Sequence, residues 1–205
     1  MNNQKNIAPA TLIPVMELDI KTFHPPGHSE EGLFASKYQK LIKVGNYIES
    51  PDGWFVPLTL LREDLAVFSK YLLLETAHNG EFTICGGFQI WFGVEYIPSV
   101  SPGTSFRFAM QLADWMIKKE REVKQEIFID NDNYLTFFIK GNELTISIPH
   151  EQDREIKTAL LDFLQQCEYA KRVTVEFAKA IESLIEKNSN CAITSSDVRF
   201  QFGLS

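Results

Sequence analysis

The stretch FTICGGFQIWFGVEYIP, Phe82 to Pro98, decides the fold, because its paired glycines admit two opposite readings. Even positions run Phe82, Ile84, Gly86, Phe88, Ile90, Phe92, Val94, Tyr96; odd positions run Thr83, Cys85, Gly87, Gln89, Trp91, Gly93, Glu95. Successive side chains of a strand point to opposite faces, so one extended register gathers the apolar set on a single face. A two-residue reversal at Gly86-Gly87 would instead pair Ile84 with Gln89 and Phe82 with Trp91, mixing the sets on both faces. A phosphate-binding turn is disfavoured too. The segment has neither GxGxxG nor GxxxxGK[ST], and strand-like residues rather than a helix start follow Gly87. The expectation is one extended run over 82–96, bent at most at its glycines. Trp91 then stands on the face away from the core with Gln89 and Glu95. Either a helix covers that face and Trp91 joins a second core with its indole N–H on a carbonyl, or the face is open and Trp91 anchors a partner.

Outward from this strand, the periods change. VMELDIKTF alternates Met16, Leu18 and Ile20 with Glu17, Asp19 and Lys21, which predicts a half-buried strand. HPPGHSEEG interrupts regular structure, and NYIESPDGWFVP reads as a hairpin turning at Ser50-Pro51-Asp52-Gly53. From Thr59 to Gly80, Leu61, Leu65, Phe68 and Leu72 recur at helical spacing, and Asn79-Gly80 supplies a stop. TSFRFAMQLADWMIKKERE predicts a helix capped by Thr104 or Ser105, with Phe108, Leu112, Trp115 and Met116 as its stripe. YLTFFIKGNELTISIP predicts two strands joined at Gly141-Asn142. Helical spacing then runs from Glu151 to Lys187. A continuous helix there would measure roughly 50 Å at about 1.5 Å per residue, and the β-branched run Val173-Thr174-Val175 predicts a break between Tyr169 and Thr174. Val198, Phe200 and Phe202 alternate, so the tail reads as a returning strand. Together these elements predict an α+β fold: a mainly antiparallel sheet, helices packed on one face, and a C-terminal helical segment. The chain reads as a single domain over 1–205, with a subdivision into a sheet-rich 1–150 and a helical 151–190 as the variant.

Composition narrows the partners. The 205 residues carry 20 basic and 27 acidic side chains, a net charge of −7, and the densest basic run, KKEREVK at Lys118 to Lys124, is interrupted by glutamates. Phosphate backbones attract clustered Lys and Arg, so a nucleic-acid surface is not expected. No apolar run is long enough to span a membrane and the N-terminus lacks a signal-peptide core. Cys85, Cys167 and Cys191 are odd in number and widely spaced, as reduced thiols of a cytoplasmic protein are.

Chemistry-bearing patterns are weak. In HPPGH, His24 and His28 stand four apart, but two prolines forbid the helix that would align them on a metal. IDNDNY places Asp130 and Asp132 like the opening of a calcium loop, yet Leu135 occupies the glycine position and Gly141 the glutamate position. Those aspartates read as a polar turn or an acidic contact patch. No GxSxG elbow is present. His78 and His150 remain the residues around which a hydrolytic site would form, and adjacent Glu63 and Asp64 read as helix-start charges rather than an acid–base pair. No cofactor and no metal site is expected.

The segment GGFQIWFGVEY, the acidic balance and the C-terminal ALLDFLQQCEYAKRVTVEFAKAIESLIE together resemble, in general character, bacterial immunity proteins of polymorphic-toxin and contact-dependent inhibition systems. The resemblance implies a small cytoplasmic α+β protein that binds and occludes a cognate toxin domain, without catalysis. In that reading Trp91, Gln89, Glu95, Asp130 and Asp132 form the contact set, acidic groups steering a basic toxin onto an aromatic anchor. The rivals are an enzyme with an unrecognised hydrolytic site and a subunit of a homo-oligomer in which Trp91 meets its symmetry mate.

Overall fold

The structure, a computed structural model, describes residues 9–19, 53–63, 65, 84, 86–93, 95–96, 106–118, 124–128, 134–148, 154–187 and 193–204. The class is α+β. Two four-stranded antiparallel sheets are present. Sheet A contains β1 (Ala10–Asp19), β2 (Gly53–Pro57), β3 (Gly86–Phe92) and β4 (Glu95–Tyr96), ordered β2-β1-β3-β4. Sheet B contains β5 (Lys124–Phe128), β6 (Tyr134–Lys140), β7 (Glu143–Ile148) and β8 (Arg154–Ala159), in simple meander order. The described helices are α1 (Leu58–Glu63), α2 (Phe106–Lys118), α3 (Leu160–Glu186) and α4 (Ser195–Gln201).

β3 begins at Gly86 and holds both glycines in one register, so there is no two-residue reversal at them; Phe82, Thr83 and Cys85 lie outside the described residues. Gly86 lies opposite Met16 and Gly87 opposite Val15. A Cβ on Gly86 would come within 2.5 Å of the Phe106 ring and of the Val15 carbonyl, so this glycine admits a close-packed helix rather than a turn. The extended run nevertheless ends sooner than its alternation implies. It stops at Phe92, and Gly93 (φ 61°) turns the chain so that Glu95 pairs back onto Phe92 and Tyr96 onto Trp91.

β1 lies between β2 and β3. Residues Val15 to Asp19 pair with β2 and Ala10 to Met16 with β3. The N-terminal half of β1 therefore has no β2 residue beside it. Pro14 offers no N–H there, and the Leu12 N–H donates to Gln166 Oε1 of α3 at 3.3 Å, which occupies the edge with a side-chain amide.

In sheet B the hairpin turns at Gly141-Asn142, with Gly141 at φ 61°, as its glycine-bearing dipeptide requires. Phe137, Ile146 and Ile156 stand directly across from one another on three strands, and Ile139, Leu144 and Thr158 form the next row. Both rows are buried. Residues 154–159 are thus a strand, not the start of a helix. The four-residue step from Ile156 to Leu160 fits either period, and pairing with β7 decides between them.

α3 runs unbroken for 27 residues, roughly 40 Å at about 1.5 Å per residue, so the break expected at 169–174 does not occur. The β-branched triplet is accommodated by packing. The Thr174 hydroxyl donates to the Ala170 carbonyl at 2.9 Å, while Val173 and Val175 pack against different apolar clusters. Propensity costs of a few tenths of a kcal/mol per residue are outweighed by burying these side chains, at about 0.8 kcal/mol per CH₂. With an alanine, Ala159, at its N-cap, α3 has its first N–H satisfied by the Asn142 carbonyl in the β6–β7 turn, at 2.9 Å.

The helix forms the spine of the core. Leu160, Phe163, Leu164, Cys167 and Ala170 join Ala10, Leu12, Phe88, Ile90 and Phe92 of sheet A and the inner rows of sheet B in one cluster. Phe163 lies 6.5 Å from Phe92 and 6.3 Å from Phe137 between ring centres, so its ring contacts both sheets. Phe177, Ala178 and Ile181 belong to a second cluster with Met16, Val56, Leu58, Leu61, Phe106 and Phe202. α2 carries the expected helix, and among its stripe residues Leu112 and Met116 are buried and Trp115 is partly buried.

The tail is a helix, where alternation predicts a strand. Thr194 Oγ1 accepts from the Asp197 N–H at 3.2 Å and Asp197 Oδ2 accepts from the Thr194 N–H at 2.8 Å, a reciprocal capping box. Val198 and Phe202, four apart, are buried, while Phe200 between them is exposed. Phe202 meets Phe106 at 4.9 Å and Phe177 at 5.9 Å. Gly203, at φ 66°, lies against the Arg107 backbone, where an added Cβ would come within 2.6 Å of its Cα.

Candidate functional site

The alternation in β3 places Gln89 and Trp91 together, on the face opposite Phe88, Ile90 and Phe92. That face is closed. Trp91 is 9% exposed and Gln89 fully buried, so every residue of β3 is buried. The Trp91 indole N–H donates to Gln89 Oε1 at 3.4 Å, a long bond that orients the amide, and Gln89 Nε2 is buried with no hydrogen-bond partner among the described residues. A ring already sealed within its own chain offers almost no surface to a partner. Trp91 and Gln89 are therefore buried within the chain rather than presented on an open face. Glu95 sits in β4, paired with Phe92; Asp130 and Asp132 lie outside the described residues.

Of the reactive side chains, His24, His28, His78, His150, Cys85 and Cys191 lie outside the described residues, as does Asp64. Cys167 is buried in the main cluster. Burial pushes its thiol far above the ordinary value of 9.0, and the neighbouring Glu168 charge adds to the effect. A thiol held protonated this firmly is a packing group rather than a nucleophile. Glu63 lies in α1, five residues after its start at Leu58, and Leu65 is helical as well. Among the described residues no group of three or more His, Cys, Asp or Glu side chains could hold a metal ion, and no helix is long and apolar enough to cross a membrane.

Two of the exposed large hydrophobic side chains among the described residues lie on α3. Its buried stripe leaves the opposite side outward, where two large apolar side chains interrupt an otherwise polar face. Leu161 is 63% exposed and Tyr169, eight residues later, is 42% exposed. Residues at i, i+4 and i+8 line one helical row, so Leu161, Gln165 and Tyr169 succeed one another along it. The Arg172 guanidinium lies 5.7 Å from the Tyr169 ring centre, within cation–π range. Exposed Asp162, Glu168 and Glu176 share this outward half. Ion pairs fix both flanks of the helix: Arg62 of α1 donates to Glu176 at 2.6 Å, and Lys171 pairs with Asp114 of α2. The row is therefore presented on a helix held from three sides.

This arrangement reproduces, on a helix, the aromatic-amid-carboxylates pattern that sequence reading assigned to β3. Leu161 and Tyr169 had a signal. Each is a large side chain standing off the apolar stripe that Leu160, Phe163, Leu164 and Cys167 define. No family model, curated protein or solved structure matches the chain.

Proposed function

We propose that this protein is a non-enzymatic binding protein that neutralises a partner protein by occlusion, in the manner of an immunity protein acting on a basic toxin domain. Docking runs through the outward row of α3. The observation that carries this reading is Leu161, 63% exposed on the chain's longest described helix, with Tyr169 and Arg172 two to three turns further on. Tyrosine and arginine are over-represented at the energetic centre of interfaces, and the contact between Arg172 and the Tyr169 ring holds both side chains before binding. The net charge of −7 and the carboxylates of Asp162 and Glu168 steer a basic partner toward the row and discourage an acidic one.

Titration calorimetry against the toxin domain encoded beside this gene tests the reading. Wild-type protein forms a complex; Leu161→Ser with Tyr169→Ala weakens it roughly 30-fold or more, the effect of losing a central anchor, while far-UV circular dichroism stays unchanged. Wild-type affinity in the double variant, or no complex with the unmodified chain, overturns it.

A further inference from the structure

Past Leu161 and Gln165, the outward stripe of α3 continues through Glu168, Arg172, Glu176, Lys179 and Ser183, three or four residues apart and all exposed. Such spacing keeps side chains on one face of a helix. The charges along it alternate: negative at Glu168, positive at Arg172, negative at Glu176 and positive at Lys179. Reversing that order inverts every sign, so the stripe is complementary to an antiparallel copy of itself. Glu168 and Lys179 supply the strongest part of the match, because neither has an ion-pair partner among the described residues.

We infer that two copies of this chain pair through α3 as a symmetric antiparallel dimer, with the two-fold axis between Arg172 and Glu176. Such an axis makes each contact twice. Glu168 of one copy then meets Lys179 of the other, and the aliphatic stem of that lysine covers Tyr169. Arg172 meets Glu176 across the axis. Arg62 takes only Oε2 of that carboxylate, at 2.6 Å, and its second oxygen remains to accept. A parallel pairing sets like charges against like and is disfavoured on that ground. From Gln165 to Ser183 the contact measures about 27 Å at about 1.5 Å per residue, and one helix pair of that length buries less than the roughly 1,200 Å² of a standard interface. Each copy also carries a net charge of −7, a general repulsion that salt screens beyond about 10 Å at 0.1 M. The dimer is therefore weak and forms at high concentration. It occupies the row assigned above to the partner protein, so self-association keeps that row covered until a tighter partner displaces the second copy. This last consequence, unlike the dimer, rests on the docking reading.

Sedimentation velocity on the full chain, over a range of concentration at about 0.15 M salt, reads the dimer without any partner protein. A monomer–dimer equilibrium is expected. Glu168→Lys alone and Lys179→Glu alone each set two like-charge pairs across the axis and weaken association about tenfold or more. Their 1:1 mixture associates again, and so does the chain carrying both changes, because every mismatch is then an opposite-charge pair. Far-UV circular dichroism stays unchanged throughout, as both positions are exposed. A chain that is monomeric at every concentration, single variants that associate like wild type, or a mixture that stays monomeric overturns the inference and leaves the docking reading standing. A dimer without a toxin complex overturns the docking reading and leaves the dimer.

Discussion

β3 and β6 are both seven-residue strands with alternating side chains, and they meet solvent differently. β3 is buried on both faces, including the polar position Gln89 and the large indole of Trp91. β6 buries Phe137 and Ile139, and on its other face Thr136 is buried while Phe138 and Lys140 are exposed. Alternation fixes which residues share a face; it says nothing about whether another part of the chain lies on that face. A strand covered on both sides and a strand covered on one can therefore carry the same pattern, and a polar residue on the second face marks that face without marking it as wet.

Substitutions on the two strands break or sharpen this contrast. The largest effect is expected at Phe137, which packs against Phe163 and Trp115 where the sheets meet. Phe137→Ala should cost about 3–5 kcal/mol in urea unfolding, the usual range for a buried phenylalanine. Trp91→Ala should follow at about 3 kcal/mol; a loss below about 1 kcal/mol would restore an open, docking indole. At the capping box, Thr194→Ala should cost about 1 kcal/mol. This effect carries a pH signature. The Thr194 hydroxyl, and then its backbone N–H, hold the Asp197 carboxyl below the ordinary value of 3.8. A depressed acid contributes its stability above 3.8 and loses it as pH falls through the folded value. The gap between wild type and Thr194→Ala should accordingly narrow in acid, modestly, since the carboxylate is solvent-exposed. The smallest effect belongs to Phe138→Ala, within about 0.5 kcal/mol in dilute monomer. Equal losses at Phe137 and Phe138 would mean that sheet B, too, is closed on both faces.

Several elements were legible from spacing because their signals are local. Gly141-Asn142 between two alternating runs marks the β6–β7 hairpin, and the apolar stripe around Leu112 and Met116 marks α2. Others failed where two periods coincide. Ile156 and Leu160 satisfy a helix and a strand junction equally, and Val198, Phe200 and Phe202 alternate although only Val198 and Phe202, four apart, face the core. Thr194 and Asp197, spaced three apart, were the local evidence for that last helix. The α3 break was inferred from β-branched propensity, which tertiary burial of Val173, Thr174 and Val175 outweighs. For the candidate site, the aromatic-and-carboxylate composition was readable, but its place was not: Trp91 is covered, and Leu161 and Tyr169 are among the large side chains left outside.

The residue pattern alone determined the α+β class, the extended register of Gly86 and Gly87 and the facing of each described strand residue, because these follow from backbone periods of two and 3.6. Tertiary structure alone decided that α3 runs straight past its β-branched run, that β3 is buried on both faces and that Phe138 and Lys140 of β6 stay exposed. Those outcomes depend on which distant segments come to rest on a surface, and burial energy gathered over many long-range contacts exceeds any preference written into a few neighbouring residues.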